Sequence, residues 1–113
     1  MSRPIDTDHL ELYVAGDASL RDEILTIFQE QIDSLRARLD ITANDEEWYD
    51  VMHAMKGASR GVGAWDVGNL CEKAEGYIKD CENKQAKRQA VIADLGVKLD
   101  EVIADADALR DGN

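Results

Sequence analysis

The chain is poor in proline and in aromatic side chains. One of its 113 residues is a proline, Pro4, and aromatic residues make up 5% of it. Because proline removes a backbone donor and clashes with the preceding helical turn, a chain without proline beyond residue 4 is free to form long helices. The shares of apolar residues, 44%, and charged residues, 33%, are typical of a globular protein. At this length we expect one domain, covering residues 1–113.

Basic residues and long apolar runs are also scarce. The chain has 13 Lys and Arg residues against 24 Asp and Glu residues, a formal net charge of −11. Such a charge repels nucleic-acid phosphates and anionic lipid headgroups, so we expect neither nucleic acid nor a membrane as a partner. No apolar run approaches the roughly 20 residues that cross a bilayer. The first residues, MSRPIDTD, lack the apolar core of a secretory signal, which favours the cytoplasm.

The two cysteines do not form a recognisable site. Cys71 and Cys81 are ten residues apart in a segment predicted to be helical, which corresponds to about 15 Å of helical rise, too far for a disulfide. Their spacing matches neither a C-x-x-C redox pair nor a zinc-ligand pair. We expect both thiols to be reduced and mostly buried. With only two histidines in the chain and no E-x-x-H pair, a metal or cofactor site in a helical core is not supported.

Apolar residues recur at steps of three and four along most of the chain, and no segment alternates like a strand. Caps and breakers predict helices over about residues 6–15, 19–39, 46–62, 64–82 and 86–109. Four such helices joined by short loops pack most simply as an antiparallel four-helix bundle, with the short first helix covering one end. The predicted fold class is therefore all-α.

Local signals predict the helix caps and the core. Ser19 is suited to cap the second helix, Asn44 or Asp45 the third, and Gly63 to follow the third in a left-handed conformation. The second helix is predicted to bury Leu20, Ile24, Ile27, Phe28, Ile32, Leu35 and Leu39. The fourth is predicted to bury Trp65, Leu70, Cys71, Ala74, Tyr77, Ile78 and Cys81. Trp48 is expected as a core anchor and His9 as a surface residue.

The third helix separates an apolar face from a face with polar groups. The apolar face is predicted to hold Trp48, Val51, Met52, Met55, Ser59 and Val62. The other face holds, at steps of three and four, Tyr49, His53, Lys56, Gly57 and Arg60. His53 therefore lies off the apolar stripe. The usual structural role of a lone histidine, a hydrogen-bonded core residue, does not fit it.

The residue types around His53 are suited to a nucleophilic histidine that reacts with a phosphorylated partner. A neutral imidazole is nucleophilic near neutral pH, and an exposed one can reach a phosphorylated partner. Lys56, one turn later, places an ammonium group where new phosphoryl oxygens would lie. Gly57 costs about 1 kcal/mol relative to alanine inside a helix, but it leaves no side chain beside the imidazole. A histidine and a lysine three residues apart also occur by chance, so the pair alone does not identify a site.

The residues from His53 to Ala64, HAMKGASRGVGA, closely resemble the H-x-L-K-G-x-x-x-x-(hydrophobic)-G motif of histidine-containing phosphotransfer (HPt) domains. The likeness continues into residues 70–75, LCEKAE, which are similar to the family's following helix. Met55 replaces the usual leucine, a volume-conserving change. The motif covers about 25 residues, and the helical pattern covers nearly the whole chain.

The resemblance implies roles for individual residues. His53 would be phosphorylated, Lys56 would steady the phosphoryl group, Gly57 would leave room for a docking receiver domain, and Gly63 would end the helix. Glu75 matches in position a Glu or Gln that hydrogen-bonds the imidazole in several members of the family. It would accept from Nδ1–H and leave Nε2 free to attack; the alternative is a solvated glutamate on an acidic surface.

The resemblance also implies a phosphoryl carrier in a two-component phosphorelay. The protein would accept a phosphoryl group from a receiver-domain aspartate and pass it to another, with response-regulator receiver domains and a hybrid sensor histidine kinase as partners. The receiver would supply Mg²⁺ and the acidic pocket, and the chain has no nucleotide-binding loop, so we expect no cofactor of its own and no kinase activity.

The docking surface is expected on the exposed side of the third helix. Tyr49, Arg60 and Gly61 are the candidate contacts, in an interface of modest size, and the protein is expected to be a monomer. The alternative function is an all-helical adaptor that binds a signalling partner without phosphorylation. An adaptor has no reason to keep His53, Lys56 and Gly57 together, which favours phosphotransfer.

Overall fold

The structure of the protein, a computed structural model, describes residues 3–111, and in this range it contains five α-helices and no strand. The helices are α1 (Thr7–Val14), α2 (Ala18–Arg36), α3 (Asp45–Gly61), α4 (Trp65–Glu75) and α5 (Lys84–Arg110). Helices α2 to α5 each pack against the next, α5 also packs against α2, and α1 lies against α2. The predicted all-α fold is confirmed, and the four later helices enclose one core. No helix within residues 3–111 is long and apolar enough to cross a membrane.

Apolar stripes of the helices form the core, and on α3 the stripe is the predicted one. All six residues predicted for its apolar face are buried: Trp48, Val51, Met52, Met55, Ser59 and Val62. On α2 the prediction was partly wrong. The buried residues there are Leu25, Phe28, Ile32 and Leu35, whereas Leu20 and Ile27 are exposed. At about 100° per residue, Leu20 and Ile27 lie about 100° and about 120° away from the centre of the buried stripe, between a quarter and a third of a turn, on the adjoining face.

The helix starts follow the capping rules with one change of residue. Asp17, not Ser19, caps α2, because its carboxylate accepts a hydrogen bond from the Leu20 backbone N–H at 3.0 Å. Asn44 caps α3 as predicted, since its side chain accepts from the Glu47 backbone N–H at 2.8 Å. Each cap satisfies a backbone donor that the first helical turn leaves without a partner.

Gly63 ends the α3 region in the left-handed conformation that was predicted, with φ of +81°. The residue has a second role that the sequence did not indicate. Its carbonyl accepts a hydrogen bond from the Asp6 backbone N–H at 3.0 Å, and a Cβ at residue 63 would lie 2.9 Å from the Asp6 carbonyl oxygen. A side chain here would push away the N-terminal segment, so glycine allows that segment to pack on the end of α3.

The prediction that the fourth helix continues to residue 82 was wrong. Helix α4 ends at Glu75, Gly76 occupies the C-terminal cap, and residues 76–83 form turns. Lys79 and Asn83 adopt a left-handed conformation, each with φ of 54°. Tyr77 and Ile78 in this segment pack against the core from turns, because interactions with distant residues replace the helical hydrogen bonds, whereas Cys81 is not part of the core.

The main distant interaction comes from Arg88, a buried residue of α5 that was not among the predicted core residues. Its guanidinium donates to the carbonyl oxygens of Tyr77, Ile41 and Ala43 and to the carboxylate of Asp45, at distances from 2.7 to 3.1 Å. It therefore links α5 to the α2–α3 and α4–α5 connections. A signal was present, because Arg88 precedes Val91 and Leu95 at core-facing helical steps.

The two cysteines are free, as predicted, but their environments differ. Cys71 is buried, and burial raises the pKa of its thiol to about 12. Cys81 lies partly exposed in the turns after α4. Since the thiolate is the reactive form, we expect iodoacetamide to label the native protein at Cys81 and to reach Cys71 only after unfolding.

Mass spectrometry of native and urea-treated protein checks this expectation. The Cys81→Ser variant is the matched control and should take up no label until it is denatured. Labelling of Cys71 in the native protein as fast as in urea would contradict the buried position of this thiol.

Candidate functional site

His53 lies in the middle of α3 and joins two other predicted residues in a connected group. Its side chain is 60% exposed, and its Nδ1 lies 2.9 Å from Oε2 of Glu75. The other carboxylate oxygen of Glu75, Oε1, accepts a hydrogen bond from Nζ of Lys56 at 2.9 Å. A single carboxylate on α4 thus links the imidazole and the ammonium group of α3.

At its position on α4, the Glu75 carboxylate needs the contacts with Lys56 and His53 to remain ionised. It is the last residue of α4, where the helix dipole disfavours a negative charge, and its side chain is only 13% exposed. Burial acts to raise the pKa of Glu75, but the hydrogen bonds and charges of Lys56 and His53 outweigh burial and hold the pKa below its usual range. The carboxylate is therefore ionised at neutral pH.

The ionised carboxylate determines the state of the imidazole. A carboxylate can only accept hydrogen bonds, so the proton between Glu75 and His53 belongs to Nδ1 of the ring. In the neutral imidazole the other nitrogen, Nε2, then carries a lone pair. The geometry thus presents an exposed histidine whose Nε2, in the neutral ring, has a lone pair directed away from Glu75.

The lowered pKa of Glu75 has a consequence for stability. Because the folded-state pKa lies below the unfolded value, the ionised group stabilises the fold above the ordinary glutamate pKa of 4.5, and this stabilisation is lost as the pH falls through the folded-state pKa. We expect wild type to be more stable than Glu75→Gln at pH 7 and this difference to shrink toward pH 3.

Urea denaturation over this pH range measures the difference. The matched control is Glu101→Gln, because Glu101 pairs with Lys98 at the surface, at 3.9 Å. Its difference from wild type should stay small across the range. A Glu75→Gln difference that remains constant or grows toward pH 3 would contradict the assigned direction.

The helical turns before and after His53 are unlike each other. The ring of Tyr49, which is 38% exposed, stacks on the imidazole with a centroid distance of 5.5 Å and an interplanar angle of 12°. In the helical turn after His53, a Cβ added to Gly57 would have no atom within 4 Å, and the same holds for Gly61 one turn further on. Tyr49 was predicted to contact a docking partner. In the structure it stacks on His53 of the same chain, whereas Gly57 and Gly61 leave open space.

Arg60, another predicted docking contact, is held against α4. Its guanidinium lies 3.2 Å from a carboxylate oxygen of Glu72 and 3.4 Å from the side-chain oxygen of Asn69. Its aliphatic stem rests on Gly68, where a Cβ would lie 2.7 Å from Cγ of Arg60. The residue connects α3 to α4 and remains partly exposed at the edge of the surface around His53.

A shallow depression between α2 and α3, which was not predicted from the sequence, begins at Gly57, one turn after the histidine. It has a volume of about 250 Å³ and is lined by Ile24, Ile27, Phe28, Gln31, Gly57, Ala58, Gly61 and Val62. Ile27, which is 49% exposed, lies here beside the two glycines of α3. The signal in the sequence was an isoleucine displaced from the buried stripe of α2, which was assigned to the core.

His9 contributes to a separate cluster near α1. Its ring lies edge-on to the rings of Trp65 and Tyr13, at centroid distances of 4.7 and 5.2 Å, and its Nε2 is buried. The expectation of a surface histidine was therefore wrong in part. Within residues 3–111, no group of three or more His, Cys, Asp or Glu side chains is placed to hold a metal ion.

Comparison with known families assigns the greater part of the chain to one family model. A family model described as the Hpt domain matches residues 19–112, which run from the second residue of α2 to beyond the end of α5. The chain belongs to the Hpt domain family. Hpt domains carry out histidine phosphotransfer in phosphorelays and interact with receiver domains and histidine kinases. No curated protein and no solved structure matches this chain.

The suspected family is thus confirmed, and the match places His53, Lys56, Gly57 and Glu75 inside the Hpt domain. Helix α1 lies outside the matched residues. It is nevertheless tied to the domain, because the N-terminal segment bonds to Gly63 and the backbone N–H of Ile5 donates to Asp105 of α5 at 3.1 Å.

Proposed function

We propose that this Hpt domain carries a phosphoryl group on His53, accepting it from a receiver aspartate of a hybrid sensor kinase and passing it to the receiver of a response regulator. The observation that carries the proposal is the Glu75 carboxylate, which contacts both Nδ1 of His53 and Nζ of Lys56 at 2.9 Å. This contact holds the Nδ1 proton in place and leaves the lone pair of an exposed imidazole on Nε2.

The transfer step needs no further reactant. Nε2 of His53 attacks the phosphorus of the aspartyl phosphate, an N–P bond forms, and the P–O bond breaks with its electron pair returning to the receiver's carboxylate. The ring keeps its Nδ1 proton and gains a positive charge. The hydrogen bond to ionised Glu75 then becomes charge-assisted, and an interaction that strengthens during the reaction lowers the barrier.

Lys56 is placed to compensate the charge of the phosphoryl group. Its ammonium has three donors, and Glu75 takes one of them, so donors remain for phosphoryl oxygens. Mg²⁺ and the acidic pocket come from the receiver domain, because phosphoryl transfer depends mainly on positioning and on charge stabilisation. The Hpt domain itself supplies the nucleophile, its orientation and one cation.

A receiver domain docks, in this proposal, on the surface formed by Ile24, Ile27, Gly57, Ala58 and Gly61, which we call the docking face. Its support is the exposed Ile27 beside two glycines that leave open space. An apolar centre with a polar rim is typical of transient complexes of modest area, which suits a monomeric carrier that must release each partner.

The test compares wild type with His53→Gln and His9→Gln, which replace in turn each of the two histidines of the chain. Each protein is incubated with a panel of receiver domains that already carry labelled phosphate. We expect an acid-labile, alkali-stable label on wild type and on His9→Gln, and none on His53→Gln. Circular dichroism of each variant verifies that it is folded.

Two results would contradict the proposal. Label that persists on folded His53→Gln would place the phosphoryl group on another residue. If no receiver labels the wild type although some bind it, the protein acts as an adaptor, and the arrangement of Lys56 and Gly57 around His53 serves another purpose.

A further inference from the structure

The imidazole of His53 needs more than one hydrogen bond to keep a fixed direction. The bond from Nδ1 to Glu75 restrains one edge of the ring, but small changes in the side-chain torsions of His53 and Glu75 still tilt the ring and move Nε2. The side chain is 60% exposed, so core packing does not hold the rest of the ring. A second contact is required to define the plane of the ring.

Helix geometry places Tyr49 where it can make that contact. It precedes His53 by four residues, and side chains on a helix lean toward the N-terminus, so the imidazole leans over the tyrosine ring. The two planes are nearly parallel, at 12°, with centroids 5.5 Å apart. Gly57, four residues after His53, has no side chain to make the same contact from the other direction.

We propose that Tyr49 is a positioning residue that stacks on the His53 imidazole and holds its plane, so that Nε2 keeps one direction while the receiver approaches from the Gly57 side. This inference rests on the proposed phosphorylation of His53. It differs from a docking role, because stacking acts on the reactive ring and not on the affinity for the partner. Among residues 3–111 the Tyr49 hydroxyl makes no described hydrogen bond, so the aromatic face is the group that acts.

Two variants separate stacking from other roles of the side chain. Tyr49→Phe keeps the aromatic face and removes the hydroxyl, whereas Tyr49→Leu keeps an apolar side chain and removes the aromatic face. Because the residue is partly exposed, both variants are expected to fold. Single-turnover transfer from a phosphorylated receiver, measured over a range of receiver concentrations, separates the rate at saturation from the affinity.

We expect Tyr49→Phe to transfer within about twofold of the wild-type rate and Tyr49→Leu to lose about three- to tenfold of the saturated rate with its affinity for the receiver unchanged. A second readout does not depend on phosphorylation. ¹³C relaxation of the His53 ring carbons should report greater ring motion in Tyr49→Leu than in wild type or Tyr49→Phe.

Other results would overturn the inference. Weaker receiver binding with an unchanged saturated rate in Tyr49→Leu would make Tyr49 a docking contact. Equal losses in both variants would assign the effect to the hydroxyl. If even wild type accepts no phosphoryl group, the proposed function fails, while the relaxation experiment still decides whether Tyr49 holds the ring, and unchanged ring motion in Tyr49→Leu would reject that too.

Discussion

Replacement of Arg88 by alanine is expected to lower the free energy of unfolding by about 3–5 kcal/mol. The side chain is 1% exposed, and its guanidinium lies 4.6 Å over the ring of Trp48. Alanine would leave a cavity beside that ring and three backbone carbonyl groups without their donor. Since a domain of this size is stable by about 5–15 kcal/mol, the loss would be a large share of the total.

Urea denaturation followed by circular dichroism measures this loss. Arg88→Met refills most of the volume but has no hydrogen-bond donors. It is therefore expected to recover only the part of the lost unfolding free energy that comes from packing. Arg36→Ala is the matched control, because Arg36 also pairs with an aspartate, Asp100 at 3.0 Å, but near the surface, where the expected loss is below about 1 kcal/mol. If Arg88→Ala cost no more than Arg36→Ala, the buried guanidinium would not be holding the connections.

Replacement of Glu75 by alanine is expected to slow phosphoryl transfer to His53 by about 10- to 100-fold, the usual effect of losing a carboxylate that orients a functional histidine. Without Glu75 the proton can occupy either ring nitrogen, and the positive charge that develops on the ring loses its acceptor. Lys56 would also lose its partner. The effect should appear in the saturated rate, because Glu75 contacts His53 and Lys56 and does not line the docking face.

The same transfer assay provides the control and the contrary outcome. Glu72→Ala removes a neighbouring carboxylate of α4, which is exposed and pairs with Arg60 at 3.2 Å. Its effect on the saturated rate is expected to stay within about threefold, as for a surface ion pair. ¹⁵N spectra of the imidazole should show one tautomer in Glu72→Ala and a mixture in Glu75→Ala. Equal rates in the two variants would remove Glu75 from the mechanism.

Much of the site could be predicted because it depends on local geometry. Three residues of α3, His53, Lys56 and Gly57, share a face as a direct consequence of 3.6 residues per helical turn. The left-handed turn at Gly63 likewise follows from a local backbone preference. Glu75 could be proposed only through the family resemblance, because its contacts with α3 join residues that are 22 and 19 positions apart.

By itself, then, the sequence determined that the protein is all-helical and which face of α3 carries the histidine, since helical periodicity and capping involve residues within a few positions of one another. Only the tertiary structure decided where α4 ends, because Asp45 binds the Lys79 backbone N–H, 34 positions away, and the Arg88 guanidinium binds the Tyr77 carbonyl. It also decided that Ile27 is exposed, because burial depends on which helices pack together. Such interactions join residues that are far apart in the sequence, so local sequence patterns cannot predict them.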